Sequence, residues 1–132
     1  MQQIYPKLKS ADTWVIASPV FWFTMCAQTK LFMDRCFAFP AYCRGAASDQ
    51  PVEHDTRGFK GKRIGIAMTY GDTNTFTSGC ANALRTFQDA FRYVGAEIVG
   101  MVYGSALDAG EIAKKQSLMQ EAEKLGKKLA RL

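Results

Sequence analysis

Short, almost wholly apolar runs alternate along this chain with longer stretches in which apolar residues recur every three or four positions. Trp14-Val15-Ile16-Ala17, Arg63-Ile64-Gly65-Ile66-Ala67-Met68 and the segment 96–103, with Ile98, Val99, Met101 and Val102, are runs of the first kind. They predict strands over 13–17, 63–68 and 96–103, apolar on both faces as strands of a buried parallel sheet are. Of the second kind, Leu31, Phe32, Arg35 and Cys36 predict a helix over 26–37, and Leu84, Phe87, Phe91 and Val94 one over 79–94 that Gly95 stops. Met119, Ala122, Leu125 and Leu129, widened by Leu118 and Leu132, predict a last helix over 110–131. Ile4 and Leu8 lie four apart around Pro6, which weakens any long helix, so the first ten residues read as the end of a helix or a short helical turn. Strands separated by helices at this spacing require right-handed βαβ crossovers, and the class is α/β with a parallel sheet. No repeat or second domain shows, so 1–132 reads as one domain.

Between these elements lie three segments of a different character. Ser18-Pro19-Val20-Phe21-Trp22-Phe23 follows the first strand. Proline fixes φ and pushes Ser18 toward an extended conformation, so the chain leaves the strand on a stiff path. Three consecutive aromatics cannot all enter one core, and the run reads either as a buried turn or as a wall for a flat ligand. Thr69-Tyr70-Gly71-Asp72-Thr73-Asn74-Thr75 is a polar loop at the carboxyl end of the second strand. Phe39-Pro40 predicts the end of the preceding helix, and a polar segment to about Lys62 reads as a long loop, either functional or loose.

Composition narrows the classes. No apolar stretch of the 132 residues is long enough to span a bilayer, and the start Met1-Gln2-Gln3-Ile4-Tyr5-Pro6 lacks the basic and apolar parts of a signal peptide, so a cytoplasmic protein without membrane association is expected. The net charge of +5 draws much of its excess from Lys114, Lys115, Lys124, Lys127, Lys128 and Arg131 of the last helix, with no accompanying nucleic-acid-binding motif. No nucleic-acid partner is expected. Cys26, Cys36, Cys43 and Cys80 are widely spaced, without Cys-x-x-Cys, and His54 has no Cys or His near it, so no metal site is expected and the cysteines read as reduced and mostly buried.

Ala11-Asp12-Thr13-Trp14-Val15-Ile16-Ala17-Ser18-Pro19-Val20-Phe21-Trp22, followed by Met25-Cys26-Ala27-Gln28-Thr29-Lys30-Leu31-Phe32-Met33-Asp34-Arg35, resembles the central segment of the NAD(P)H-dependent FMN reductases and the related iron–sulfur flavoproteins. Tyr70-Gly71-Asp72, the run from Asn82 to Asp89 and Gly95-Ala96-Glu97-Ile98-Val99-Gly100 extend the resemblance over nearly all of the chain except 39–62. It implies a flavodoxin-like fold, a parallel sheet of order 2-1-3-4-5 holding FMN at the switch point between strands 1 and 3. Here that sheet is expected to be truncated to about three strands, the family's strands 3, 4 and 5, with flanking helices. Ser18, Pro19, Val20, Phe21, Trp22 and Phe23 would form the loop after strand 3 against the isoalloxazine. Thr69, Tyr70, Gly71 and Asp72 would close the other side.

By the same resemblance, strands 1 and 2 and the phosphate-binding loop have no counterpart, and the upstream cysteine cluster is absent, so no iron–sulfur cluster is expected. The implied activity is electron transfer from NAD(P)H through FMN to an acceptor, and since the flavin carries the chemistry, no catalytic acid, base or nucleophile is named. Phe21 and Trp22 read as ring contacts or as packing; Asp72 as a flavin-edge partner or as a turn former. Asp34 and Arg35 read as a helix-surface or interface ion pair. A strand edge left open along Trp14–Ala17 would pair with another chain, making a homo-oligomer. The alternative is a non-catalytic remnant or oligomerisation module with weak or no FMN binding.

Overall fold

Alternation along the first strand separates two faces, with Trp14, Ile16 and Ser18 buried on one and Val15 and Ala17 exposed on the other. In a computed structural model, which describes residues 1–44 and 58–130, this strand is β1 (Thr13–Phe21), preceded by the short helix α1 (Tyr5–Ser10). A two-residue strand β2 (Thr24–Met25) folds back on it before α2 (Ala27–Arg35), a 3-10 turn (Cys36–Ala38) and α3 (Phe39–Arg44). Then come β3 (Arg63–Tyr70), α4 (Cys80–Tyr93), β4 (Glu97–Ser105), α5 (Glu111–Lys114) and α6 (Gln116–Ala130). The sheet order is β2-β1-β3-β4. The three expected parallel strands are all there, and β2 adds a fourth, antiparallel one.

β1 pairs with β3 in parallel from Thr13 opposite Arg63 to Pro19 opposite Thr69, and β3 pairs with β4 likewise. Pairing of Ile64 with Ile98 and of Gly65 with Gly100 leaves Val99 over as a bulge, whose carbonyl accepts the Lys128 ammonium at 2.8 Å. One face of the sheet carries the main core: Trp14, Ile16, Ile64, Ile66 and Met68 pack with Phe39, Phe59 and the Leu84, Phe87 and Phe91 stripe of α4. On the other face Gly65, Gly100 and Gly104 leave room for Leu129, Leu125 and Leu118, so α6 lies close over β3 and β4.

Two expectations are corrected. Pro40 does not end a helix but sits in the first turn of α3, where its missing N–H has no partner to lose. The last helix is broken at Lys115, and Leu118 rather than the half-exposed Met119 meets the sheet. Of the long loop, 45–57 with His54 lies outside the described residues, while Phe59 is buried against Trp14 and Phe39 at ring centroid distances of 5.6 and 5.2 Å. Lys62 is buried too, donating to the carbonyls of Lys9 and Ala11 at the end of α1. Cys26, Cys36 and Cys80 are buried free thiols, and Cys43 is partly buried.

Candidate functional site

Proline at 19 keeps β1 extended well past the apolar run, to Phe21, and the chain then reverses within two residues. Trp22 and Phe23 occupy the turn with φ of 48° and 67°, both in the left-handed region that side chains with a Cβ disfavour. Positive φ at both central residues of a two-residue hairpin is the signature of a type I′ turn, which Asn-Gly ordinarily supplies. The two rings meet edge to face, 5.7 Å apart at 68°, and Trp22 is 90% exposed and Phe21 63%. A strained turn presenting three large rings at the carboxyl end of a parallel sheet has the marks of a functional segment.

Beneath this tip Ser18 is a buried brace. Its hydroxyl accepts the Cys26 N–H at 3.0 Å and donates to the Pro19 carbonyl at 2.9 Å, joining the base of the hairpin to the start of α2. Cys26 stands at the N-cap position of α2, its sulfur 3.2 Å from the Thr29 hydroxyl. The Ser18 hydroxyl, then the Thr29 hydroxyl and backbone amides, lower its thiol pKa from 9.0 to about 7 against the opposing effect of burial. Ser18 has one proton, so it leaves the Pro19 carbonyl when it turns toward a thiolate. Cys36, by contrast, is pushed up to about 12 by burial alone.

Across from the tip, the loop after β3 is held by its own side chains. Asp72 accepts the Thr77 hydroxyl at 2.7 Å and the Thr73 N–H at 2.6 Å, and these bonds hold its carboxyl below the ordinary range. Tyr70 is buried, its hydroxyl 3.0 Å from that of Thr75, while Phe76 is 80% exposed. The Tyr70 carbonyl accepts the Ala106 N–H, which brings the loop after β4 alongside. At the start of α4 the Cys80 N–H donates to the Ser78 hydroxyl and the Ala81 N–H to the Thr75 carbonyl. These two amides are therefore not free to cradle an anion, which a flavin phosphate would require of a helix start.

The predicted residues thus divide. Ser18, Pro19 and Thr69 line a cavity of about 300 Å³ between the strand ends and α6, together with Met68, Leu118 and Met119. Phe21, Trp22 and Phe23 form the exposed tip, Val20 packs against the core, and Tyr70 is an internal strut rather than an open wall. Gly71 and Asp72 begin the loop directly after β3. Asp34 pairs with Lys30 on the surface of α2, while the Arg35 carbonyl accepts the Tyr5 hydroxyl. The sequence reading passed over Cys26 as a titrating group and Gly79 as a contact; for Gly79, a glycine directly after Thr77-Ser78 and before an apolar helix was the available signal. Among the described residues no three His, Cys, Asp or Glu side chains gather as a metal site would need, and no helix is long and apolar enough to cross a membrane.

A family model described as "Flavodoxin-like fold" matches residues 1–129. This chain belongs to the flavodoxin-like fold family. Among curated relatives, a ribosyldihydronicotinamide dehydrogenase [quinone] from Mus musculus is 36% identical over 67 residues, 51% of this chain and 27% of that protein. An FMN-dependent NADH:quinone oxidoreductase from Shewanella loihica is 25% identical over 124 residues, 93% of this chain and 59% of the relative. The flavodoxin-like chain therefore spans less than two thirds of the length of either. Among solved structures, a Trp repressor binding protein from Bacillus subtilis superimposes with a TM-score of 0.74 at 21% identity, covering 94% of this chain and 70% of the other. A general stress protein 14 from Treponema denticola, solved in complex with FMN, gives 0.68 at 16% identity, covering 96% and 72%.

Proposed function

We propose that this flavodoxin-like chain contributes the ring-binding part of an FMN-dependent oxidoreductase that moves electrons from NAD(P)H to an acceptor. The observation that carries the reading is the aromatic tip, Phe21, Trp22 and Phe23, held in a strained turn at the carboxyl end of the parallel sheet. Exposed rings on a stiff hairpin offer a flat, desolvating surface to an isoalloxazine, and Ser18 keeps that surface in place from below. FMN supplies the hydride chemistry when bound. The chain's share is then to orient the ring and shield one side of it from water. The ring end of FMN fits these residues; its phosphate does not find free donors in the Cys80 and Ala81 amides. The names of the Mus musculus and Shewanella loihica relatives make quinones the first acceptors to assay.

Titration of the purified protein with FMN, followed by flavin fluorescence and visible absorbance, tests the reading. Binding is expected to quench the flavin, and Trp22→Ala to weaken it about tenfold, the scale of one lost aromatic contact. Absence of any binding at high micromolar FMN removes the enzymatic reading.

A second reading is favoured by a separate feature. Beyond Val20 and Phe21, which pair with β2, the outer edge of β1 has no strand beside it among the described residues. Leu8, Trp14, Ile16 and Phe32 line an apolar hollow of about 490 Å³ along that edge. Such an edge suits an assembly module, and in either reading a homo-oligomer joined through β1 is the proposed state.

A further inference from the structure

We infer that Gly79 is the positioning residue that sets where the aromatic tip stands. This rests on the flavin reading above, and concerns how the tip is held. Trp22 and Phe23 both occupy the left-handed region, a conformation that L residues with a Cβ hold only when their surroundings impose it. The hairpin itself is too small to impose it: β1 and β2 share two residue pairs, and an isolated hairpin of that size is not stable in water. Ser18 fixes its base, but the tip needs a contact of its own.

That contact comes from the start of α4. Gly79, at φ 82°, lies so close to Phe23 that a methyl group on its α-carbon would overlap the Cα, carbonyl carbon and oxygen of Phe23. These are backbone atoms, which cannot swing aside as a side chain can. Gly79 is in turn fixed, its N–H donating to the Phe76 carbonyl and its carbonyl accepting the Ala83 N–H, both at 3.2 Å. Cys80, Ala83 and Phe87 are wholly buried, so the first turns of α4 are set into the core. The chain therefore runs a rigid path from the core through α4 and Gly79 to the backbone of Phe23. If a Cβ is added at Gly79, either the helix or the tip must yield. The helix is locked by buried side chains, whereas the tip is exposed, Trp22 90% and Phe23 54%, so the tip yields.

Gly110 supplies the control. It too has a positive φ, 79°, but nothing lies within 4 Å of an added Cβ, so Gly110→Ala carries the backbone cost without the collision. The experiment measures circular dichroism, tryptophan emission with acrylamide quenching, and FMN titration on the unsubstituted chain, Gly79→Ala and Gly110→Ala. Trp14 is buried and Trp22 exposed, so quenching reports the tip. Gly79→Ala is expected to keep the far-ultraviolet spectrum, change Trp22 emission and quenching, and raise the FMN Kd at least tenfold. Gly110→Ala should change neither emission nor Kd. A folded Gly79→Ala protein with emission and Kd within threefold of Gly110→Ala overturns the inference. Loss of the fold in Gly79→Ala alone overturns it too, since the helix and not the tip would have given way. If the unsubstituted chain takes up no FMN, the flavin reading fails by itself and the Trp22 signal alone decides the placement of Gly79.

Discussion

The Ser18 hydroxyl accepts the Cys26 amide throughout, and its single proton goes either to the Pro19 carbonyl or, when Cys26 is ionised, to the thiolate. Removing it in Ser18→Ala strands the buried Cys26 N–H and takes the donor from the part-buried Pro19 carbonyl, which costs about 1–3 kcal/mol on urea unfolding. The same change should move the Cys26 pKa upward from about 7, read as thiolate absorbance near 240 nm against a Cys26→Ala reference. A lowered pKa in the folded state stabilises above the unfolded value and is lost as pH falls through the folded one. Cys26 therefore adds stability as pH rises from about 7 to 9, relative to Cys26→Ala, which retains the opposing Cys36 and Cys80. If the two proteins keep the same stability difference across that window, the thiolate is not selectively stabilised. At this scale proline chemistry read the extended path correctly, while the Trp22-Phe23 reversal was illegible because no Asn, Asp or Gly marks it. Its positive φ values are imposed by neighbours distant in sequence, Gly79 among them.

Among the elements, α6 shows how the sheet accepts a helix. Gly65, Gly100 and Gly104 stand on one face, and Leu129, Leu125 and Leu118 descend into the spaces above them. Lys128 on the Val99 carbonyl and Arg63 on the Leu129 carbonyl, at 2.8 and 3.0 Å, pin the helix from both partners, which accounts for part of the basic charge of this segment. Leu129 is the buried member of the set, and Leu129→Ala is expected to cost about 2–4 kcal/mol in urea unfolding, with the cavity it leaves contributing to the loss. A cost below about 1 kcal/mol would mean that Leu129 is not a main apolar anchor of α6. The strands, α4 and the existence of α6 were readable because periodicity records burial directly. Helix α3 was not, because Pro40 reads equally as a stop and as a first-turn residue, and only packing of Phe39 into the aromatic cluster decides between them.

For the whole molecule, the asymmetry of the sheet is the governing feature. Among the described residues, α6 covers β3 and β4 on one face and leaves Val15, 63% exposed, and Ala17 uncovered on β1, and no strand lies along the outer edge of β1 from Thr13 to Pro19. An apolar run with unpaired backbone groups beside it is the arrangement that soluble chains ordinarily blunt with lysine, proline or a bulge; Pro19 stands at the far end and β1 itself carries no charge. The resemblance already implied this edge, because its strand composition suits a central position. Geometry adds that the apolar hollow follows the edge, so that a neighbouring strand would be flanked as well as paired. Light scattering on the 132-residue chain should therefore give a mass that rises with concentration through the micromolar range. Val15→Lys places a charge where the incoming strand would pack, at a site exposed enough that stability should change by no more than about 0.5 kcal/mol. That variant is expected to remain monomeric at concentrations where the unsubstituted chain associates, and a monomeric, concentration-independent mass for the unsubstituted chain itself would remove β1 as an assembly edge.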